Sequence, residues 1–167
     1  MTVSRLVCAG CGATPAADDP FPFACPNAGA GDDVDHVLRR EVDLDAVELQ
    51  TLDEEPNPFV RYRDLLHAYH VAREGGIADA DFVALVRRLD ERVADVDGHG
   101  FRITPFARAD TLSERLGVDV WVKDETGNVS GSHKARHLFG VLLWLEVAES
   151  LGLADPSARP DLAIASC

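Results

Sequence analysis

The chain has 167 residues, of which 46% are hydrophobic and 27% are charged, and this balance indicates a globular protein and excludes a disordered one. Its formal net charge of −13 argues against anionic partners such as a nucleic-acid backbone or an acidic membrane surface. No apolar run is long enough for a signal peptide or a membrane span, so we expect a cytoplasmic protein whose four cysteines stay reduced.

The N-terminal segment is predicted to be rich in loops that cysteines hold together. Cys8 and Cys11 form a Cys-x-x-Cys knuckle, and Cys25 lies where a zinc ribbon would begin its second knuckle. That second knuckle lacks its other cysteine, because residues 27–28 read Asn-Ala. A structural zinc ion takes four ligands, so the set is incomplete unless His36 or a distant residue completes it. A zinc site, a metal-free relic of one, and a redox pair all remain open.

The next segments predict a strand and a domain boundary. The stretch HVLRREVDL, residues 36–44, is consistent with one strand. The stretch LDEEPNPF, residues 52–59, combines an acidic run with two prolines that resist helix formation, so it is predicted to be a linker. We therefore expect a zinc-ribbon-like segment and linker over residues 1–57, and a second region over residues 58–167.

Two helices are predicted after the linker, over residues 59–74 and 80–96. Two glycines follow the first helix and are a typical C-terminal stop. Asp79 precedes the second helix and is its expected N-cap. At helical spacing, one face of the second helix carries Phe82, Val83, Val86, Leu89 and Val93.

The remaining pattern predicts a βαβ unit and therefore an α/β fold. A short helix over residues 111–117 leads to an alternating strand over 118–125. A polar turn at 126–131 then opens a long apolar helix over 132–151. The short apolar run at 162–166 resembles a buried parallel strand, which would complete the unit.

The lysines suggest a chemical role for this region. The chain has only two, Lys123 and Lys134, whereas its other 14 basic residues are arginines. Arginine stays protonated, but lysine can lose its proton and act as a nucleophile. Lys134 lies at the predicted start of a buried helix, where the helix dipole and desolvation both disfavour an ammonium. The position indicates an amine that is used uncharged, with two ordinary solvated lysines as the alternative.

The residues around Lys134 resemble the Schiff-base motif of pyridoxal-phosphate (PLP) enzymes of the tryptophan-synthase-β fold type, and most closely the threonine synthase and threonine dehydratase branch. In that family a strand ending in Lys-x-Glu leads through a polar turn to Thr/Ser-Gly-Ser-Phe/His-Lys at a helix start. The matching residues are Lys123, Glu125, Asn128, Ser130, Gly131, Ser132, His133 and Lys134. The stretches ITPF at 103–106 and NPFVRYRDLL at 57–66 resemble upstream segments of the same family.

This resemblance implies the N-terminal part of a PLP-dependent tryptophan-synthase-β-like fold, preceded by a degenerate zinc-ribbon-like segment. It implies that Lys134 binds the cofactor covalently and transfers protons to and from the substrate. Ser132 and His133 are the adjacent cofactor-binding residues, although Ser132 is also a good helix N-cap and His133 an ordinary helix-start residue. Ser166 and Cys167 match the start of the family's Ser-x-Gly-Asn loop, so Ser166 is expected to bind the substrate.

Several activities are compatible with the resemblance. A threonine synthase-like enzyme would carry out a replacement on O-phosphohomoserine, whereas a dehydratase or other lyase would act on serine or threonine. A non-enzymatic zinc-ribbon module that binds a partner through its acidic face is the alternative from another class. For the enzyme we expect PLP, zinc as an optional second cofactor, a small amino-acid substrate and a homo-oligomeric full-length form. Because the phosphate loop and the second half of the fold have no counterpart here, we expect an inactive N-terminal fragment.

Overall fold

The computed structural model describes residues 2–47 and 54–158, and this part of the chain is mixed α/β. Its strands are β1 (Ser4–Cys8), β2 (Leu38–Val42), β3 (Phe106–Arg108) and β4 (Trp121–Lys123). Its α-helices are α1 (Pro58–Arg61), α2 (His67–Glu74), α3 (Asp79–Asp97), α4 (Asp110–Leu116) and α5 (Lys134–Ser150). None of these helices combines the length and the apolar character that crossing a membrane would require.

The N-terminal module, residues 2–47, is a two-stranded antiparallel sheet with a long loop between the strands. β1 pairs with β2, from Ser4 opposite Val42 to Cys8 opposite Leu38. The predicted strand is therefore confirmed, in the form of β2. Residues 9–37 contain no helix or strand, and of their side chains only Pro22 and Cys25 are buried. Regular hydrogen bonding and apolar burial alone do not explain how this loop is held.

The hydrophobic core lies among α1, α2, α3 and α5. Three aromatic rings, Phe59, Phe101 and Phe139, meet at its centre with centroids 4.6 to 5.0 Å apart. The predicted apolar face of α3 is confirmed, because Phe82, Val86 and Leu89 are buried, while Val83 and Val93 pack against the cluster. The core residues of α5 are Phe139, Leu143, Trp144, Leu145, Val147 and Ala148.

The predicted helix over residues 59–74 is wrong as a single element. The structure has α1, a 3₁₀ turn over Arg63–Leu65 and then α2, with Leu66 extended between the turn and α2. The break accompanies the burial of Arg63, whose Nε donates to Asp79 Oδ1 at 2.6 Å and whose Nη1 donates to the Val60 carbonyl at 3.0 Å. The start of the linker, residues 52–53, lies outside the described residues.

Asp79 is not the N-cap of α3, so that prediction is also wrong. Ala78 occupies the cap position, and Asp79 is the first residue of the helix. Its carboxylate accepts from Arg63 and, at 2.9 Å, from the Tyr69 hydroxyl. Asp79 therefore does not cap α3 but connects the start of α3 to the 3₁₀ turn before α2.

β3 and β4 form a second small sheet beside α4. They pair antiparallel, from Phe106 opposite Lys123 to Arg108 opposite Trp121. The predicted short helix is confirmed as α4, and it ends at Gly117, which has the left-handed φ of 68° that favours glycine. The predicted strand over 118–125 narrows to β4. The predicted partner strand over 162–166 lies outside the described residues, so the βαβ unit stays a prediction.

Candidate functional site

Four side chains of the N-terminal module converge on one point. Cys8, Cys11, Cys25 and His36 place their ligand atoms within 4.8 Å of one another, an arrangement that could hold a metal ion. Cys8 ends β1, Cys11 lies in the turn after it, Cys25 lies in the long loop, and His36 lies two residues before β2. The fourth member of this group is thus His36, one of the alternatives that the sequence left open, and the group contains no second cysteine of the Cys25 knuckle.

The local backbone explains how the first knuckle forms. After Cys8 the chain turns back, with the Gly12 N–H donating to the Cys8 carbonyl at 2.9 Å and the Cys8 N–H donating to Ala13 at 2.8 Å. Gly10 allows the His36-bearing segment to approach, because a Cβ at this position would lie 2.5 Å from the Asp35 carbonyl oxygen. The glycine therefore serves the site by being small.

Asn27, which stands where a cysteine was sought, contacts the cluster in another way. Its backbone N–H donates to Cys25 Sγ at 3.4 Å, and its side-chain amide donates to Cys11 Sγ at 3.6 Å. Hydrogen bonds to the charged form of a ligand favour that form. Asn27 therefore supplies hydrogen bonds to two sulfurs of the cluster, although it supplies no thiol of its own.

The imidazole of His36 is oriented from both sides. Its Nδ1 lies 3.4 Å from Cys8 Sγ, and its Nε2 lies 2.7 Å from Asp32 Oδ2. A histidine that binds a metal commonly donates its other ring N–H to a carboxylate, which fixes the tautomer and the ring orientation. Asp32 has this position, so His36 presents Nδ1 to the three sulfurs. Sequence reasoning missed Asp32, and the signal available was the four-residue spacing of an acid and a histidine.

The ionisation of the cluster is strongly perturbed. Burial is the largest influence on Cys8 and raises its pKa, but hydrogen bonds from the Cys11 backbone, the His36 ring and the Gly10 backbone outweigh it and lower the pKa to about 6. The Asp32 carboxylate, followed by Cys8, raises the pKa of His36 to about 9. Burial raises the pKa of Cys25. A bound cation would displace the protons of these ligands.

The three described cysteines are free thiols, with Cys8 and Cys25 buried and Cys11 exposed. Cys11 Sγ and Cys25 Sγ are 3.6 Å apart, a hydrogen-bond or shared-ligand distance. A thioredoxin-like redox pair needs a helix directly after the first cysteine, and residues 9–37 contain none. The geometry therefore favours a ligand set over a redox pair.

Lys134 is the first residue of α5 and follows a tight turn. Ser130 and Gly131 have left-handed φ values of 53° and 62°, and the Asn128 amide bridges the turn by donating to the Ser132 carbonyl at 2.7 Å. Ser132 Oγ accepts the Lys134 N–H at 3.2 Å, but His133 occupies the N-cap position, so the prediction of Ser132 as the N-cap is wrong by one residue. Lys134 is half-buried, and its amine has no hydrogen bond or ion pair to the residues that the structure describes.

The second lysine differs in its surroundings. Lys123 Nζ donates to the Thr104 carbonyl at 2.6 Å and lies 3.9 Å from Glu125. Its amine is therefore already used to join β4 to the segment before β3. Within residues 2–47 and 54–158, the Lys134 amine has no such partner.

An ion-pair network that the sequence did not reveal holds the beginning of α5 in place. Arg136 Nε donates to Glu125 Oε2 at 2.8 Å, and its Nη2 donates to the Arg102 carbonyl at 3.0 Å. The Thr104 hydroxyl donates to the same Glu125 carboxylate. The Arg136 guanidinium, as the largest influence, lowers the pKa of Glu125. Lys134 thus lies two residues from a side chain that fixes its helix to the end of β4.

The helix start itself offers few free donors for a phosphate. The N–H groups of Gly131 and Ser132 already donate to the Asn128 and Val129 carbonyls, at 2.9 and 3.3 Å, and the Lys134 N–H donates to Ser132. A phosphate site at a helix start needs several N–H groups that point outward. His133, the remaining predicted cofactor-binding residue, is exposed.

Comparisons with protein-family models, with curated proteins and with solved structures found no match for this chain. Ser166, the predicted substrate-binding residue, lies outside the described residues. The described structure therefore brings the three cysteines together with His36, and it places Lys134, Ser132 and His133 at one helix start.

Proposed function

We propose that the chain is the N-terminal portion of a PLP-dependent enzyme of amino-acid metabolism, similar to threonine synthase, with Lys134 as the lysine that binds the cofactor. The observation that carries the proposal is the setting of Lys134. It follows a left-handed turn, it begins a 17-residue helix, and its amine is uncommitted among the described residues. That setting agrees with the family motif from Lys123 to Lys134.

The donor set suits the aldehyde end of PLP better than its phosphate end. An amine that is uncommitted among the described residues can form a covalent bond with an aldehyde. The used N–H groups of the turn leave little for a phosphate, which agrees with the expectation that the phosphate loop belongs to another part of the enzyme.

The roles of the chain's residues follow from these positions. When bound, PLP supplies an electron sink that stabilises negative charge at the substrate Cα. Lys134 holds the cofactor and moves a proton at that carbon. Ser132 fixes the Lys134 backbone N–H, Arg136 ties the helix to β4, and His133 is exposed for a contact with the cofactor.

The proposed reaction is a replacement on O-phosphohomoserine, with a dehydratase or other lyase reaction on serine or threonine as the alternative. Ser166 is proposed to bind the substrate carboxylate in either case. Assays of a full-length form with each substrate separate the two, since the first releases phosphate and the second releases ammonia. We also propose that this form is a homo-oligomer.

The lysine assignment is tested by trapping the cofactor. Borohydride reduction of a PLP-loaded full-length form, followed by peptide mapping, is expected to find the pyridoxyl group on Lys134. Lys134→Ala should remove the yellow colour, while Lys123→Ala, the matched control, should keep it. A pyridoxyl group on Lys123 would falsify the assignment.

We further infer that the cluster of Cys8, Cys11, Cys25 and His36 binds zinc, and that its role is structural. Three thiolates and an imidazole are a donor set that zinc prefers, and four protein ligands leave no position for a substrate. The cluster also supports the second candidate function, a zinc-ribbon module without catalytic activity. Stoichiometric zinc in a protein that takes up no PLP in its full-length form would favour that candidate.

A further inference from the structure

Trp144 of α5 makes a direct contact with the N-terminal module. It is 7% exposed, and its indole N–H donates to the Pro20 carbonyl at 2.9 Å. Its ring stacks on His67 of α2, with centroids 5.3 Å apart and planes 12° apart. Pro20 belongs to the loop between Cys11 and Cys25. The indole therefore contacts the segment that joins two residues of the cluster.

A second contact joins the same residues to the sheet of the module. Ser4 of β1 is 1% exposed, and its hydroxyl lies 3.0 Å from His67 Nδ1. The contacts are therefore continuous from β1 through His67 and Trp144 to the loop that carries Pro20. Beside them lies an open groove with a cavity volume of about 690 Å³, lined by Leu6 and Leu38 of the module and by Val141 and Leu143 of α5. Phe21, the residue after Pro20, also packs against the hydrophobic core, so the module is attached by apolar as well as polar contacts.

The loop has little of its own to hold it in this place. Residues 9–37 form no helix or strand, and among them Cys25, one of the four cluster residues, is one of only two that are buried. A ligand set in an irregular loop gains its order from the metal, since the ligands are brought together only when the site forms. Loss of the metal would therefore loosen the segment that carries Pro20, although Phe21 and Pro22 still contact or lie near the core.

We propose that metal binding at the Cys8, Cys11, Cys25 and His36 cluster is coupled to the packing of the Pro20 loop on Trp144, so that metal loss detaches the N-terminal module from the helix that begins at Lys134. This inference rests on the proposed metal site. Coupling of this kind is reciprocal: if the metal stabilises the Trp144 contact, then the contact must strengthen metal binding by the same factor.

The test uses Trp144 as the reporter in the whole chain. Trp121, the other tryptophan, is 55% exposed, and Trp121→Phe leaves Trp144 as the single indole. In this background a chelator is expected to shift Trp144 emission to longer wavelength, and added zinc should restore it. Zinc has a filled d shell and no redox chemistry, so the change reports the surroundings of the indole. Emission that is identical with and without bound zinc would overturn the coupling and leave the metal site standing.

Reciprocity provides the second measurement. Trp144→Phe keeps a ring against His67 but loses the hydrogen bond to Pro20, and we expect zinc affinity to fall about threefold to tenfold. Ser4→Ala removes the other contact with less risk to the fold and should weaken zinc binding in the same direction. Trp121→Phe is the control and should leave the affinity unchanged. Unchanged affinity in both contact variants overturns the coupling, and a chain that binds no zinc overturns the metal site together with it.

Discussion

Removal of the Asp32 carboxylate tests the metal site without touching a ligand. Asp32 Oδ2 lies 2.7 Å from His36 Nε2, and His36 Nδ1 faces the sulfur of Cys8 at 3.4 Å. Asp32→Asn keeps the size of the side chain but removes the charge that orients the ring and raises its basicity. Loss of such an outer partner lowers metal affinity by roughly 10- to 100-fold, which corresponds to about 1.4 to 2.7 kcal/mol of binding free energy.

The matched control is Asp33→Asn, which removes the same charge from an exposed neighbour. Zinc affinity is measured for both variants by competition with a chromogenic chelator, and the stability that zinc adds is measured by thermal unfolding at a fixed excess of zinc. A weaker ligand adds less stability at the same concentration, so the two measurements must agree. Equal loss of zinc affinity in the two variants would refute the reasoning. It would mean that Asp32 acts only through its negative charge and not through its contact with His36.

Two further predictions concern stability. Arg63→Met should lower the free energy of unfolding, measured in urea, by about 2 kcal/mol, because it removes the buried partner of the partly exposed Asp79. The double variant Arg63→Met, Asp79→Asn should lose less stability, since it leaves no carboxylate without its partner. Burial, with Arg40 and His70, lowers the pKa of His67 from 6.5 to about 4, so the unfolded chain binds more protons than the folded one between these values. Stability that is complete above pH 6.5 should therefore fall by about 2 to 3 kcal/mol as the pH drops to 4, and His67→Gln should lose less over the same range.

The elements that the sequence predicted well are those whose signals are local. α3 carries apolar residues at helical spacing, α5 is a long and mostly apolar run, and α4 ends at Gly117, whose left-handed conformation needs no distant partner. The signal for the start of α5 was also local, because the turn residues Ser130 and Gly131 lie three to four positions before its first residue, Lys134. In each case the residues that cause the element lie within one or two helical turns of it in the sequence.

The elements that the sequence predicted badly depend on residues far apart in the chain. The break between α1 and α2 accompanies an ion pair between Arg63 and Asp79, which lie sixteen positions apart. Helical periodicity in residues 59–74 contains no information on that pair. The network of Glu125 and Arg136 around Thr104 was missed for the same reason, although a charge at a strand end and an opposite charge in the next helical turn are a usable signal.

The fourth metal ligand shows where sequence reasoning could have gone one step further. β1 pairs with β2 so that Cys8 lies opposite Leu38, and the Ala9 N–H continues the ladder by donating to the Val37 carbonyl at 2.8 Å. In an antiparallel pair each step outward on one strand matches a step outward on the other, so residue 10 comes beside residue 36. A knuckle that begins at the end of β1 therefore meets the residues just before β2, and His36 lies two positions before that strand. The sequence analysis named His36 only as one way to complete the set, whereas the strand register shows why His36 lies beside the first knuckle.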